Sequence, residues 1–269
     1  MINTLLLDVI SMNLQTLPGL YISHGSPMLA IEPEQVGPAL KRLSFNLPKP
    51  KAIVIMSAHW ESTVLEVSTA TRPETWHDFY GFPQELYEIR YPAAGEPHLA
   101  QEILASLNQA GLNACANEHQ PRDHGMWMPL LHMYPEADIP VVGISLPMHM
   151  SAEEIYRIGE TLAPLRERQI LLIGSGSITH NLRDLDRHSS NPVTPIWAAT
   201  FRNEVVHQLF HHNFEAVLDW QNLPYIRKNH PTLEHFAPIF FAMGTGQRFN
   251  VVHSSFSMGS LGRDIYRFD

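Results

Sequence analysis

Ala52-Ile53-Val54-Ile55-Met56-Ser57-Ala58 is a short apolar, β-branched run that delivers His59 at its end. A run of that length reads as a buried strand over Ala52–Ser57, because its β-branched content and brevity argue against helix. Working outward, the same grammar recurs. Gly19-Leu20-Tyr21-Ile22-Ser23 leads into His24, and Ile170-Leu171-Leu172-Ile173-Gly174 into a short loop before His180. Leu65–Ala70, Ile139–Leu146 and Val251–Ser254 carry the same strand character. Helical patterns lie between the strands. His98–Ala110 follows Pro97, a good first-turn residue, and stops at Gly111, a C′ glycine. Ser151-Ala152-Glu153-Glu154 opens another with a capping serine and first-turn acids, and Ile155, Ile158, Leu162 and Leu165 share one face. Pro195–Phe210 and Pro231–Met243 are two more, the latter placing His235 near a helix start. Strands alternating with helices predict a single-domain α/β protein with a central mixed, largely parallel sheet and helices on both faces.

The composition excludes several classes. At 269 residues, with 44% hydrophobic and 17% charged residues, the chain reads as an ordinary globular protein. Such a length buries roughly three quarters of the unfolded surface. A net charge of −9, with no basic stripe gathering the 18 Lys and Arg, argues against nucleic acid. The single cysteine, Cys115, allows no internal disulfide and fits a reducing compartment. Met1–Ile10 is apolar but lacks a basic leader and carries Asp8, so it does not read as a signal peptide. No run approaches the roughly 18 apolar residues of a membrane span. A cytoplasmic location is expected, with residues 1–15 as an N-terminal extension, Met12 as an alternative start, and residues 16–269 as the catalytic domain.

Strand ends are where α/β proteins place their sites, and imidazole is the commonest metal ligand. Each histidine also has a plainer reading. His24, in Ser23-His24-Gly25-Ser26-Pro27, is equally a water-exposed turn histidine. His59, in Ser57-Ala58-His59-Trp60, is equally a core histidine bonded to backbone. His180 follows Gly174-Ser175-Gly176-Ser177-Ile178-Thr179, which has neither the Lys of a phosphate loop nor the third glycine of a dinucleotide fingerprint. His235 flanks the stripe Leu233, Phe236, Phe240 and Met243, or is a solvated helical histidine. His124, in Arg122-Asp123-His124-Gly125-Met126-Trp127, sits on a polar loop tip. Their joint placement is the stronger signal. No Gly-x-Ser-x-Gly elbow, His-Glu-x-x-His or Cys-x-x-Cys competes with it, and Cys115 reads as packing. Thr71–Pro97, rich in aromatics, Pro and Gly, is long enough to be a lid or binding wall.

Together these blocks resemble the class III extradiol ring-cleaving dioxygenases, in their 4,5-DOPA extradiol dioxygenase-like branch. The resemblance runs from about Leu20 onward, through Ser23–Met28, Ser57–Trp60, His77–Pro83, Asp123–Trp127, Thr179–Leu182, Glu234–Phe236 and Met258–Leu261. It implies a non-haem Fe(II) enzyme that cleaves a catechol-type, DOPA-like ring with O2, in a family whose members also carry Zn(II). It makes His24, His59 and His235 metal ligands, with Glu234 as the neighbouring alternative to His235. His180 becomes a base or additional ligand beside the metal. His124 becomes a group that hydrogen-bonds the bound oxygen or returns a proton. His77, Phe79 and Tyr80, with Trp76 nearby, become the wall for the aromatic ring. Two other readings stay open on the residues alone: a zinc-dependent hydrolase on the same histidines, and a binding protein that reuses the fold.

Overall fold

The computed structural model describes residues 16–269, so the expected extension over residues 1–15 and the alternative start at Met12 lie outside the described residues. The strands are β1 (Gly19–Ser23), β2 (Ala52–Ser62), β3 (Glu66–Ser68), β4 (Cys115–Asn117), β5 (Val141–Pro147), β6 (Ile170–Gly176), β7 (Phe249–His253), β8 (Phe256–Ser257), β9 (Leu261–Gly262) and β10 (Ile265–Phe268). Eight form one sheet in the order β4-β3-β5-β2-β6-β1-β10-β7, while β8 and β9 make a small hairpin. The middle is parallel: β5 with β2, β2 with β6, and β6 with β1. β3 joins β5 antiparallel, and β10 and β7 close the other side antiparallel. The expected mixed, largely parallel sheet is therefore present. Among the described residues, no helix is long and apolar enough to cross a membrane.

Alternation along the strands splits the interior in two. Ile53 and Ile55 of β2 face one core with Leu171 and Ile173 of β6, while Val54, Met56 and Leu172 face the other. The covering helices include α1 (Val36–Phe45), α2 (Pro97–Gln109), α3 (His124–Met133), α4 (Ala152–Leu162), α5 (Ile196–Phe210) and α6 (Pro238–Gly244). α1 and α3 pack on the first face, and α2, α4, α5 and α6 on the second. Helices thus cover both faces. Gly111 has φ +77°, as a C′ glycine requires. The Ser151 hydroxyl accepts the Glu154 N–H at 3.2 Å and the Glu154 carboxylate accepts the Ser151 N–H at 2.8 Å, a reciprocal cap on α4. Leu165 falls beyond α4, in a 3-10 turn over Ala163–Arg168.

Two expectations are corrected. The helix expected over Pro231–Met243 starts only at Pro238, and residues 231–237 form tight turns. Pro238 has no N–H to donate back to Glu234, so it suits the first position of a new helix and not the middle of a long one. His235 therefore stands in the turn before α6. In the other correction, His124 is not on a loop tip: it opens α3, capped by the Asp123 carboxylate on the Met126 N–H at 3.2 Å. Gly125 and Pro129 obscure that helix in the sequence, yet Met126, Trp127, Met128 and Leu130 are all buried.

Gly174 and Gly176 also find their reason here. A Cβ on Gly174 would stand 2.1 Å from the Pro238 carbonyl oxygen, and one on Gly176 2.2 Å from that of His235. The His235–Pro238 turn lies flush on β6 because those two positions have no side chain. Gly174→Ala should lower the unfolding free energy by about 1–3 kcal/mol, the range for overpacking a filled interior. The denaturant midpoint checks this, and an unchanged midpoint would mean that the turn simply withdraws.

Candidate metal centre

His24 leaves the carboxyl end of β1, His59 rides β2 beyond its expected end, and His235 hangs from the turn beside β6. Their Nε2 atoms converge: His24 to His59 is 3.0 Å and His235 to His59 is 3.3 Å. These three rings form a group able to hold a metal ion. What lies behind each ring determines what it presents. His24 Nδ1 is 3.0 Å from the Ser175 hydroxyl, whose own proton goes to the Gly125 carbonyl at 2.5 Å. His59 Nδ1 is 3.3 Å from an Asp78 oxygen, and His235 Nδ1 is 3.0 Å from a Glu234 oxygen. Each Nδ1 faces an acceptor, which favours a hydrogen there and a bare lone pair at each Nε2. Converging lone pairs without a donor between them fit a divalent cation. Glu234 stands behind His235 and is not turned toward His24 and His59.

The surroundings keep these rings neutral. Burial first, then the neighbouring histidines, hold His24 and His59 well below the ordinary imidazole range, and His235 down to about 3. Neutral imidazole is the form that binds metal. The Gly125 carbonyl that receives Ser175 is free for a local reason. Its helical partner would be the N–H of residue 129, and that residue is Pro129. A helix defect thus anchors a serine that anchors His24.

His180 lies beside this triad and not within it. Its ring stacks on His235 with centroids 3.4 Å apart and planes 10° apart, and its backbone N–H donates to the Asn229 carbonyl at 3.0 Å. It groups with His235 and Glu234 but not with His24 and His59. Burial, then His235, pushes its pKa down to about 3, away from the ordinary value expected for it. His124 is 4.0 Å from the His59 ring, centroid to centroid, with Nδ1 3.0 Å from both oxygens of Asp78. Asp78 went unselected in the sequence, where His77-Asp78-Phe79 offered only a loop aspartate beside an aromatic. Burial opposes its ionisation, but His124 and then His59 outweigh it and hold the carboxyl below its usual range.

His59, His124, His180 and His235 floor a cavity of about 430 Å³, with His24 buried beneath them. Phe79, Phe82, Met28, Met258 and Leu261 supply its apolar wall. Arg187 is the one formally charged side chain among the described lining residues. Of the expected ring wall, only Phe79 reaches the cavity. Tyr80 is 92% exposed, and His77 turns Nε2 to the Ile89 carbonyl at 3.1 Å. Phe82, quoted in the sequence blocks without a role, is the aromatic that joins Phe79.

Comparison with known proteins places this geometry. The family model described as "Catalytic LigB subunit of aromatic ring-opening dioxygenase" matches residues 18–269. A Beta vulgaris protein named "4,5-DOPA dioxygenase extradiol" is 37% identical, covering 92% of this chain and 95% of its own. One of the same name from Escherichia coli strain K12 is 36% identical, covering 96% and 97%. The crystal structure of an uncharacterized protein from Escherichia coli K12 superposes with a TM-score of 0.79 at 28% identity, over 94% of this chain and all of that one. The chain belongs to the LigB family of aromatic ring-opening dioxygenases and is an extradiol dioxygenase.

Proposed function

We propose that the chain cleaves a DOPA-like catechol between a hydroxylated carbon and its unhydroxylated neighbour, with Fe(II) held by His24, His59 and His235. The observation that carries this reading is the set of three converging Nε2 atoms, two of whose rings, His59 and His235, line the floor of an apolar cavity. Bound iron would supply a redox-active centre with open positions for catecholate and O2. The chain's own residues would do the rest. His180, neutral above its lowered pKa, keeps a ring nitrogen available to take a hydroxyl proton from the catechol. His124, fixed through Nδ1 on Asp78, keeps Nε2 free to take a proton and, once protonated, to hydrogen-bond the reacting oxygen and return that proton. Phe79 and Phe82 flank the ring, and the apolar wall excludes water from the reacting oxygens. Arg187 stands where it can meet a carboxylate on the ring's side chain, as a DOPA-like substrate carries.

Protein loaded anaerobically with Fe(II) should consume O2 with catechols and yield a yellow product, and Zn(II)-loaded protein should not, since zinc has no redox chemistry. Turnover by the zinc form without oxygen would replace this reading with hydrolysis. His24→Ala and His59→Ala should lose bound metal, whereas His180→Ala should keep it and lose about 100-fold or more in turnover. Metal analysis beside steady-state rates separates these, and equal metal loss in all three would make His180 a ligand. Arg187→Ala should raise KM about tenfold for a catechol bearing a carboxylate, the loss of one charge-assisted hydrogen bond, and leave an uncharged catechol unaffected. An equal rise for both substrates would remove Arg187 from substrate recognition.

A further inference from the structure

A single carboxylate faces both halves of this site. Asp78 Oδ2 is 3.3 Å from Nδ1 of His59, and both Asp78 oxygens are 3.0 Å from Nδ1 of His124. Oδ1 also accepts the His124 backbone N–H at 2.9 Å, at the start of α3. Its side chain is only 8% exposed, so water competes little for the His124 hydrogen bonds or for the attraction of His59. We infer that Asp78 is a positioning residue that sets the tautomers of a metal ligand and of an acid–base group together, so that metal binding at His59 and proton transfer at His124 share one acceptor. This rests on the roles proposed above for His59 and His124.

An ionised carboxylate only accepts hydrogen bonds, so it requires a hydrogen at both Nδ1 atoms. His59 must then turn a lone pair at Nε2 toward His24 and His235, where the metal would sit, and His124 must keep Nε2 bare on the cavity side. When His124 Nε2 takes up the proton that it later returns, the Nδ1–H stays in place. Asp78 then faces an imidazolium and stabilises it, as an aspartate does behind a catalytic histidine. The other second-layer acceptors each serve one ring: Ser175 serves His24, and Glu234 serves His235. Chain topology explains why Asp78 can serve two. It enters on the loop before Phe79, between the end of β2 and the first turn of α3, where the backbone N–H groups favour a negative charge. An amide in its place has one accepting and one donating end, and so cannot meet all three N–H groups.

Histidine ¹⁵N spectra of the Zn(II)-loaded protein read the His124 tautomer without any turnover. The wild-type protein should carry the His124 proton on Nδ1, and Asp78→Asn should move it toward Nε2. The Asn variant should also bind Zn(II) about 10- to 100-fold more weakly. At saturating Fe(II) its kcat should stay about 100-fold down, with KM little changed and the pH profile altered. Asp78→Glu, which keeps two accepting oxygens, should restore the tautomer and part of both losses. A wild-type His124 protonated on Nε2 would overturn the inference, even if the Asn variant fails to fold. So would full recovery of kcat in the Asn variant once metal is saturating. The tautomer and Zn(II) readouts do not depend on ring cleavage, so they decide this point even if the proposed activity fails.

Discussion

The Nε2 atoms of His24 and His235 lie 3.0 and 3.3 Å from that of His59, three imidazoles crowded on one point, and the rest of the site is arranged around that constraint. Left to themselves, such rings would rotate so that one N–H pointed at a neighbour's lone pair. Each is prevented by an acceptor behind it: the Ser175 hydroxyl, the Asp78 carboxylate and the Glu234 carboxylate. Burial then makes protonation costly, so the arrangement is neutral and rich in donors for a cation. Orientation by an outer layer is what distinguishes a metal site from a crowd of histidines.

The sheet supplies the rigidity this needs. β1, β2 and β6 are adjacent and parallel, so their carboxyl ends open on one side and bring His24, His59 and the His180 loop together. The turn carrying His235 is pressed against β6 at two glycines, and its carbonyl accepts the Ser177 N–H at 2.8 Å. The fully buried α6 follows immediately, which ties His235 to the larger of the two cores. Function here rests on close backbone packing as much as on side chains.

Charge is distributed sparingly. Among the described lining residues, the cavity wall is apolar apart from its histidine floor, Ser26 and Arg187, so polar contacts to a bound molecule are confined to those groups. That economy suits an aromatic ligand with a single ionic handle, since apolar walls supply affinity and a few placed polar groups supply orientation.

The core strands were legible because burial on both faces leaves an uninterrupted apolar run, as in Ala52–Ser57 and Ile170–Gly174. Capping chemistry made α4 legible, since Ser151 and its acids act on their own helix. Where a proline or glycine interrupts the pattern, local reading failed: α3 was hidden by Gly125 and Pro129, and Pro238 shortened the expected final helix. The aromatic loop misled for a related reason. Without periodicity nothing in His77–Pro83 says which ring turns inward, so Phe79 and Phe82 line the cavity while Tyr80 faces water. By itself, then, the sequence determined the layered α/β fold and the histidines that its strand ends present, because hydrophobic period and strand length are local properties. Only the tertiary structure decided which nitrogen each ring offers, that His180 stands outside the triad, and that Asp78 faces both His59 and His124. Apart from Glu234, which adjoins His235, those depend on partners distant in the chain, Ser175 for His24 and Asp78 for His59 and His124, and folding alone brings them within 3 Å or so of each other.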